Sequence, residues 1–317
     1  MEYLRVTMAT VVVLVVIFIG GGALRGAGDS QTPMRVTAMA NGLNILLDYV
    51  LIFGVWGLPG MGPVGSAWAT FISRLFAVLL LLRFMWRGRA GITIRGRGRW
   101  APELPVARDV LRIGVPAALE QVLISAGFFA LTMVVAGLGT AALAAHRIAF
   151  NALSLVFLPG IGFGIAATAL VGQSLGARRL DEGEAVARVS IRWALAWMGA
   201  MSLLMFIFAP QILRLFTDEP EILRQGVASL RVLSCAQPFW ALLFVYSGAL
   251  RGLGNTDFPM RVNASGIWLA VILGWGMVTI FHGGLALVWT AFLASSPLMA
   301  WLLYRRFHRE VRSITPA

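Results

Sequence analysis

Apolar residues run along this 317-residue chain in nine long stretches, parted by short polar or glycine-rich links. The stretches cover about 6–24, 34–55, 64–84, 109–136, 141–173, 186–208, 224–250, 258–281 and 284–304. Several of them reach the ~20 residues that a helix needs to span bilayer hydrocarbon. The pattern predicts an all-α polytopic protein.

Two of the links are copies. Residues 23–36 read ALRGAGDSQTPMRV and residues 249–262 read ALRGLGNTDFPMRV, with nine of fourteen positions identical at an offset of 226. Each copy closes one apolar run and opens another. Glycine permits the tight turn, and proline suits the first turn of the next helix. A repeat so distant, with helices around it, predicts two pseudo-symmetric bundles. Four spans of the second bundle precede its copy, but only one span precedes the first copy. By symmetry, about nine helices of a twelve-helix fold are expected here, the chain starting at the fourth. The expected division is an incomplete three-helix bundle over 1–86, a linker over 87–108, and a six-helix bundle with a tail over 109–317.

Composition agrees with a membrane protein: 59% of residues are hydrophobic and 13% charged. The net charge of +12 comes from 26 basic residues, all arginine, but they form no basic patch on a soluble domain, so no nucleic acid is expected. The links near 25–35, 83–112, 176–192, 251–261 and the tail from 305 hold 20 of the 26. The links near 56–63, 137–140 and 282–283 hold none. Arginine-rich links face the cytoplasm, which places the C-terminus inside a multi-pass inner membrane protein. The basic run over 87–108 then reads as contact with anionic lipid headgroups. A single cysteine, Cys235, rules out an intramolecular disulfide and a cysteine-based metal cluster.

Polar residues inside the spans carry the candidate chemistry. Thr37, Asn41, Asn44 and Asp48 stand four, three and four apart, on one helix face. An Asp at mid-membrane costs roughly 2.5–3.5 kcal/mol on insertion scales, so Asp48 must face a cavity or a partner. Thr70 in the next span falls at nearly its depth, and Arg74 lies one turn beyond Thr70. Two readings follow: Asp48, Asn44 and Thr70 form a cation or proton site, or Asp48 and Arg74 form an ion pair that holds helices together. An acid locked in such a pair is a poor proton carrier. The matching positions of the second half are Gly274 and Ala270, so the repeat did not keep this stripe. Glu120, four residues after Pro116, is a second deep acid. It is either a further cation site or is satisfied by nearby Gln121 or Ser125. His146 and Arg147 are expected to reach the membrane interface.

Other motifs carry no chemistry. Gly160, Gly162 and Gly164 follow no strand and precede no Lys-Ser/Thr pair, so they form no nucleotide loop. With Pro159 they predict a bend or a close helix approach. GAGD at 26–29 sits in a turn rather than inside a helix, against an intramembrane aspartyl protease. The chain is not expected to be an enzyme.

These stretches resemble the multidrug and toxic compound extrusion (MATE) transporters. The resemblance rests on LRGAGDSQTPM (24–34), NGLNILLDYVLIFG (41–54), GSAWATFISR (65–74), GVPAALEQ (114–121), residues 143–177 and the second repeat. It implies two six-helix bundles and export of organic, often cationic, compounds in exchange for H⁺ or Na⁺. It implies no other cofactor or metal and no obligate protein partner. It also implies coupling through Asn44, Asp48 and Thr70, which match an Asn and Asp on the family's fifth helix and a Thr on its sixth. The family's first-helix Asp has no counterpart here. Tyr49 follows Asp48 where some members have Pro, and AAHR at 144–147 replaces the usual AAHQ. The rival readings are a lipid-linked oligosaccharide flippase of related fold and a non-transporting, truncated remnant.

Overall fold

The computed structural model describes residues 2–55, 59–88, 93–95 and 103–314, apart from the side chains of Glu2 and Leu180. Much of the 87–108 link and part of the 54–65 link thus lie outside the described residues. The described chain is all helical: α1 (Glu2–Gly26), α2 (Gln31–Phe53), α3 (Pro63–Trp86), α4 (Leu104–Ala136), α5 (Thr140–Gly176), α6 (Leu180–Ile207), α7 (Ala209–Arg214), α8 (Pro220–Gly252), α9 (Asp257–Thr279) and α10 (Leu285–Ile314). Nine of these are long and apolar enough to cross a membrane. The chain divides into two compact units, Met1–Ala101 and Pro102–Ala317.

In the first unit, α3 packs against both α1 and α2. Helices α2 and α3 form a tight antiparallel pair. The Met61 N–H donates to the Leu51 carbonyl at 2.9 Å, and a Cβ on Gly65 would lie 2.5 Å from that same oxygen. Only glycine lets the two backbones come so close.

In the second unit, α8 is the central helix, packed against α5, α6 and α10. Its approach to α5 is again made by glycine. A Cβ on Gly164 would meet the Phe244 carbonyl at 2.7 Å, and one on Gly248 would collide with the Gly164 carbonyl. Gly160 packs on the same face, against Met198, while Gly162 faces open space. Pro238 has no N–H for the Ser234 carbonyl one turn back, and Ser202 on α6 donates to that oxygen at 2.6 Å. Pro210 likewise frees the Phe206 carbonyl, which accepts from Arg231 Nε at 3.3 Å.

Three elements differ from the sequence expectation. The 209–223 link contains a short helix, α7, started by Pro210 in its first turn. The tail is helical to Ile314, because Leu303, Phe307 and Val311 recur every four residues and are buried. The His146 side chain turns inward instead of reaching outward: it is 5% exposed and stacks on Trp289 with ring centroids 5.1 Å apart.

The two repeat turns share one geometry. Gly28 and Gly254 adopt φ of +93° and +85°. Behind them, the Asp29 N–H donates to the Leu24 carbonyl and the Asn255 N–H to that of Leu250, at 2.9 and 3.0 Å. This is the Schellman ending of a helix, in which a left-handed glycine closes the last turn. Asp29 then accepts from the Thr32 N–H at 2.9 Å, and Asn255 from the Phe258 N–H at 3.2 Å, so each side chain also starts the next helix.

Candidate functional site

In the first unit, Asn44 and Asp48 are half-buried on α2, while Thr37 and Asn41 on the same stripe are exposed. Asn44 Nδ2 and Asp48 Oδ1 are shut off from solvent and have no hydrogen-bond partner. Buried polar atoms are nearly always paired, so two orphans one turn apart mark a place that a ligand can fill. Thr70 is half-buried on α3. Its depth follows from the contact of Gly65 with Leu51. Thr70 lies five residues from Gly65 and Asp48 three from Leu51, so at ~1.5 Å per residue their depths differ by about 3 Å. Arg74 lies nine residues from Gly65, about 9 Å deeper than Asp48 along the helices. Among the described residues no ion pair joins Asp48 to Arg74.

The second unit holds a cavity of about 430 Å³ among α4, α5, α8, α9 and α10. Phe150, Phe157, Trp240, Phe244 and Phe292 form much of its wall. Trp240 is fixed by its Nε1–H, which donates to Ser296 Oγ at 2.9 Å. At the polar end stands Glu120, 4% exposed. Its Oε1 accepts from Arg251 Nη2 at 2.6 Å and from Asn263 Nδ2 at 2.7 Å. Asn263 also donates to Ser247 Oγ at 3.0 Å. Glu120 Oε2 and Arg251 Nε are buried and unpaired.

This corrects one of the two sequence readings of Glu120, that nearby Gln121 or Ser125 satisfies it. Its partners are not Gln121 or Ser125 on its own helix but residues 131 and 143 positions away. Gln121 instead donates to Ser125, at 3.5 Å. Arg251, which in the sequence is one of the charges of a link, turns its guanidinium into the bundle. Asn263 and Ser247 join the site as well. The available signal was an intramembrane acid in need of a partner and an Asn one turn into an apolar span. In this half the position matching Asp48 is filled by packing: a Cβ on Gly274 would stand 3.1 Å from Val288.

The MatE family model matches residues 1–50 and 116–275. A probable multidrug resistance protein NorM from Thermotoga maritima is 34% identical over 294 residues, covering 92% of this chain and 63% of its own. A probable multidrug resistance protein YoeA from Bacillus subtilis is 32% identical over 249 residues, covering 77% of this chain and 53% of its own. The chain therefore spans less than two thirds of the length of these relatives. Among solved structures, an outward-facing multidrug resistance MATE family transporter of the MOP superfamily superposes with a TM-score of 0.91 at 25% identity. It covers all of this chain, which in turn covers 70% of it.

Proposed function

The chain belongs to the MATE family, and on that premise we propose that it is a secondary antiporter that exports small organic, often cationic, molecules in exchange for H⁺ or Na⁺. The observation that carries the coupling role is the pair of buried, unpartnered atoms on Asn44 and Asp48. An intramembrane carboxylate left without a protein partner gains most from a proton or a small cation. Thr70, at nearly the same depth, is a further oxygen ligand for it. Glu120 is a second acidic site, already engaged by Arg251 and Asn263. Binding of the ion in one state and of cargo in the other suffices for exchange, since each ligand need only prefer one state. The protein sits in the plasma membrane, the inner membrane where there are two, with its arginine-rich links and its C-terminus in the cytoplasm.

The test is efflux of radiolabelled tetraphenylphosphonium from proteoliposomes under an imposed proton or Na⁺ gradient. The antiporter reading expects efflux that follows one gradient, and its loss in Asp48→Asn with the protein still folded. Efflux indifferent to both gradients, or unchanged in Asp48→Asn, refutes the coupling role. Movement of a lipid-linked sugar in place of the cation supports the flippase.

A further inference from the structure

Beyond the last apolar run, α10 continues as the helical tail, and Leu303, Phe307 and Val311 are buried against the second unit. Two polar side chains flank Phe307 around this helix, His308 at ~100° on one side and Glu310 at ~60° on the other. Each meets a different part of the unit. His308 Nε2 stands 3.8 Å from Glu184 Oε1 at the start of α6. Glu310 Oε2 accepts from Asn255 Nδ2, in the α8–α9 turn, at 2.8 Å. We propose that the tail is a pH-responsive latch: it ties the start of α6 to the α8–α9 turn, and it tightens when His308 takes up a second proton. The latch goes beyond the antiporter reading, which enters only in placing it on the cytoplasmic side.

The Glu310 contact is the fixed half. Arg306 Nε also donates to Glu310 Oε2, at 3.1 Å, and its guanidinium lies over the Phe258 ring, 5.4 Å from the centroid. Asn255 starts α9 with its Oδ1 and holds Glu310 with its Nδ2. At the matching positions of the first half stand Asp29 and Phe84. Asp starts a helix as well as Asn does, but it has no N–H to give. The second repeat turn thus differs from the first in the atom that the tail requires.

The His308 contact is the variable half. Its Nδ1 lies 3.0 Å from the Tyr304 carbonyl, so both ring nitrogens face oxygens that only accept. A neutral imidazole has one N–H, and in either tautomer its other nitrogen turns a lone pair on an acceptor. The imidazolium donates to both. From α6, Arg188 shares Glu184, with Nη2 3.3 Å from the same Oε1. From α8, the Tyr246 ring lies 6.2 Å from the imidazole by centroid, and Tyr304 of α10 itself lies 4.3 Å away. Arg305, Arg309 and Arg312 of α10 are exposed. These arginines and Arg188 oppose a second proton, but they extend into solvent, where salt screens them, while Glu184 is half-buried at contact distance. The α6 contact is therefore complete at low pH and is lost as pH rises through the range in which imidazole gives up its charge.

The experiment is electron paramagnetic resonance of the full chain in nanodiscs, with a nitroxide on Ser313→Cys in the Cys235→Ser background and no cargo or ion gradient present. Going from about pH 5.5 to about pH 8 should raise the mobile fraction of the spectrum about threefold, the range of a partly exposed ion pair. His308→Lys keeps a positive charge at both pH values, so the label should stay immobile at both. Glu184→Gln removes the partner, so the step should vanish with the label mobile throughout. Asn255→Asp keeps the start of α9 but sets a carboxylate against Glu310, so the mobile fraction should rise at both pH values and the step remain. A tail of purely structural role gives one spectrum at both pH values; that result in the labelled chain with no other change overturns the latch. A step that survives in His308→Lys or Glu184→Gln, or no rise in Asn255→Asp, overturns it too. Because neither cargo nor gradient is used, failure of coupled efflux leaves this result untouched, and a tail without a pH response leaves the antiporter reading untouched.

Discussion

Gly28 and Gly254, 226 positions apart, hold the same left-handed backbone at the end of a helix. The duplication is therefore preserved at the level of single hydrogen bonds, and glycine is needed because other residues pay about 1–2 kcal/mol in that conformation. Gly28→Ala and Gly254→Ala should each lower stability by about that amount. Gly276→Ala, at an ordinary helical position with open space around it, should be neutral or slightly stabilising. Thermal unfolding of the purified chain in detergent, followed by size exclusion, measures all three.

The crossing of α5 and α8 gives a stronger test. A Cβ at Gly248 would overlap the Gly164 carbonyl, which is backbone and cannot swing aside. Gly248→Ala should force the helices apart at a cost of about 1–3 kcal/mol or more, and Gly248→Val should prevent the second unit from accumulating. Gly162→Ala, facing open space two residues from Gly164, should express normally. Equal expression of Gly248→Val and Gly162→Ala would mean that this crossing is not tight.

Much of this was legible in the sequence. The nine spans follow from length and apolarity, because lipid admits only helices that satisfy their own backbone. The repeat turns were legible because glycine and proline act on the backbone within a turn of themselves; the caps by Asp29 and Asn255 emerge only in the structure. The Asn44 and Asp48 stripe was legible for a similar reason, since one helix carries it. Glu120 shows where such reading stops. Its partners come from α8 and α9, and no local spacing announces a contact across 131 residues. The burial of His146 is hidden for the same cause: its neighbour Trp289 lies on α10. The tail helix is hard to read because its arginines mask the four-residue apolar stripe of Leu303, Phe307 and Val311.

The substitute bond at Pro238 predicts a specific coupling. Ser202→Ala should cost about 1–3 kcal/mol, because it strands the buried Ser234 carbonyl. Pro238→Ala restores an N–H to that carbonyl. In the Pro238→Ala background the same Ser202→Ala change should therefore cost little. A double-mutant cycle on thermal stability reads the difference. Strict additivity of the two changes would show that the Ser202 hydroxyl does not compensate the proline.

Arg74 decides between the two readings of Asp48 without any transport assay. If the two residues formed a buried pair, removing either charge would strand the other at a cost of about 3–5 kcal/mol. The double change Asp48→Asn with Arg74→Gln would then recover most of that loss. The structure separates them by about 9 Å along the helix axes and joins them by no ion pair, so their effects should be independent. Each single variant should fold, and the double variant should equal the sum of the singles within about 0.5 kcal/mol, the usual spread for distant sites. Asp48→Asn should even gain stability, since it takes a lone carboxylate out of the membrane. That sign is the informative one: a residue kept for binding an ion is expected to cost stability when no ion is bound. The measurement is thermal unfolding of the four proteins in Na⁺-free buffer and again in Na⁺ or at low pH. A destabilised Asp48→Asn that Arg74→Gln rescues would return Asp48 to a purely structural role.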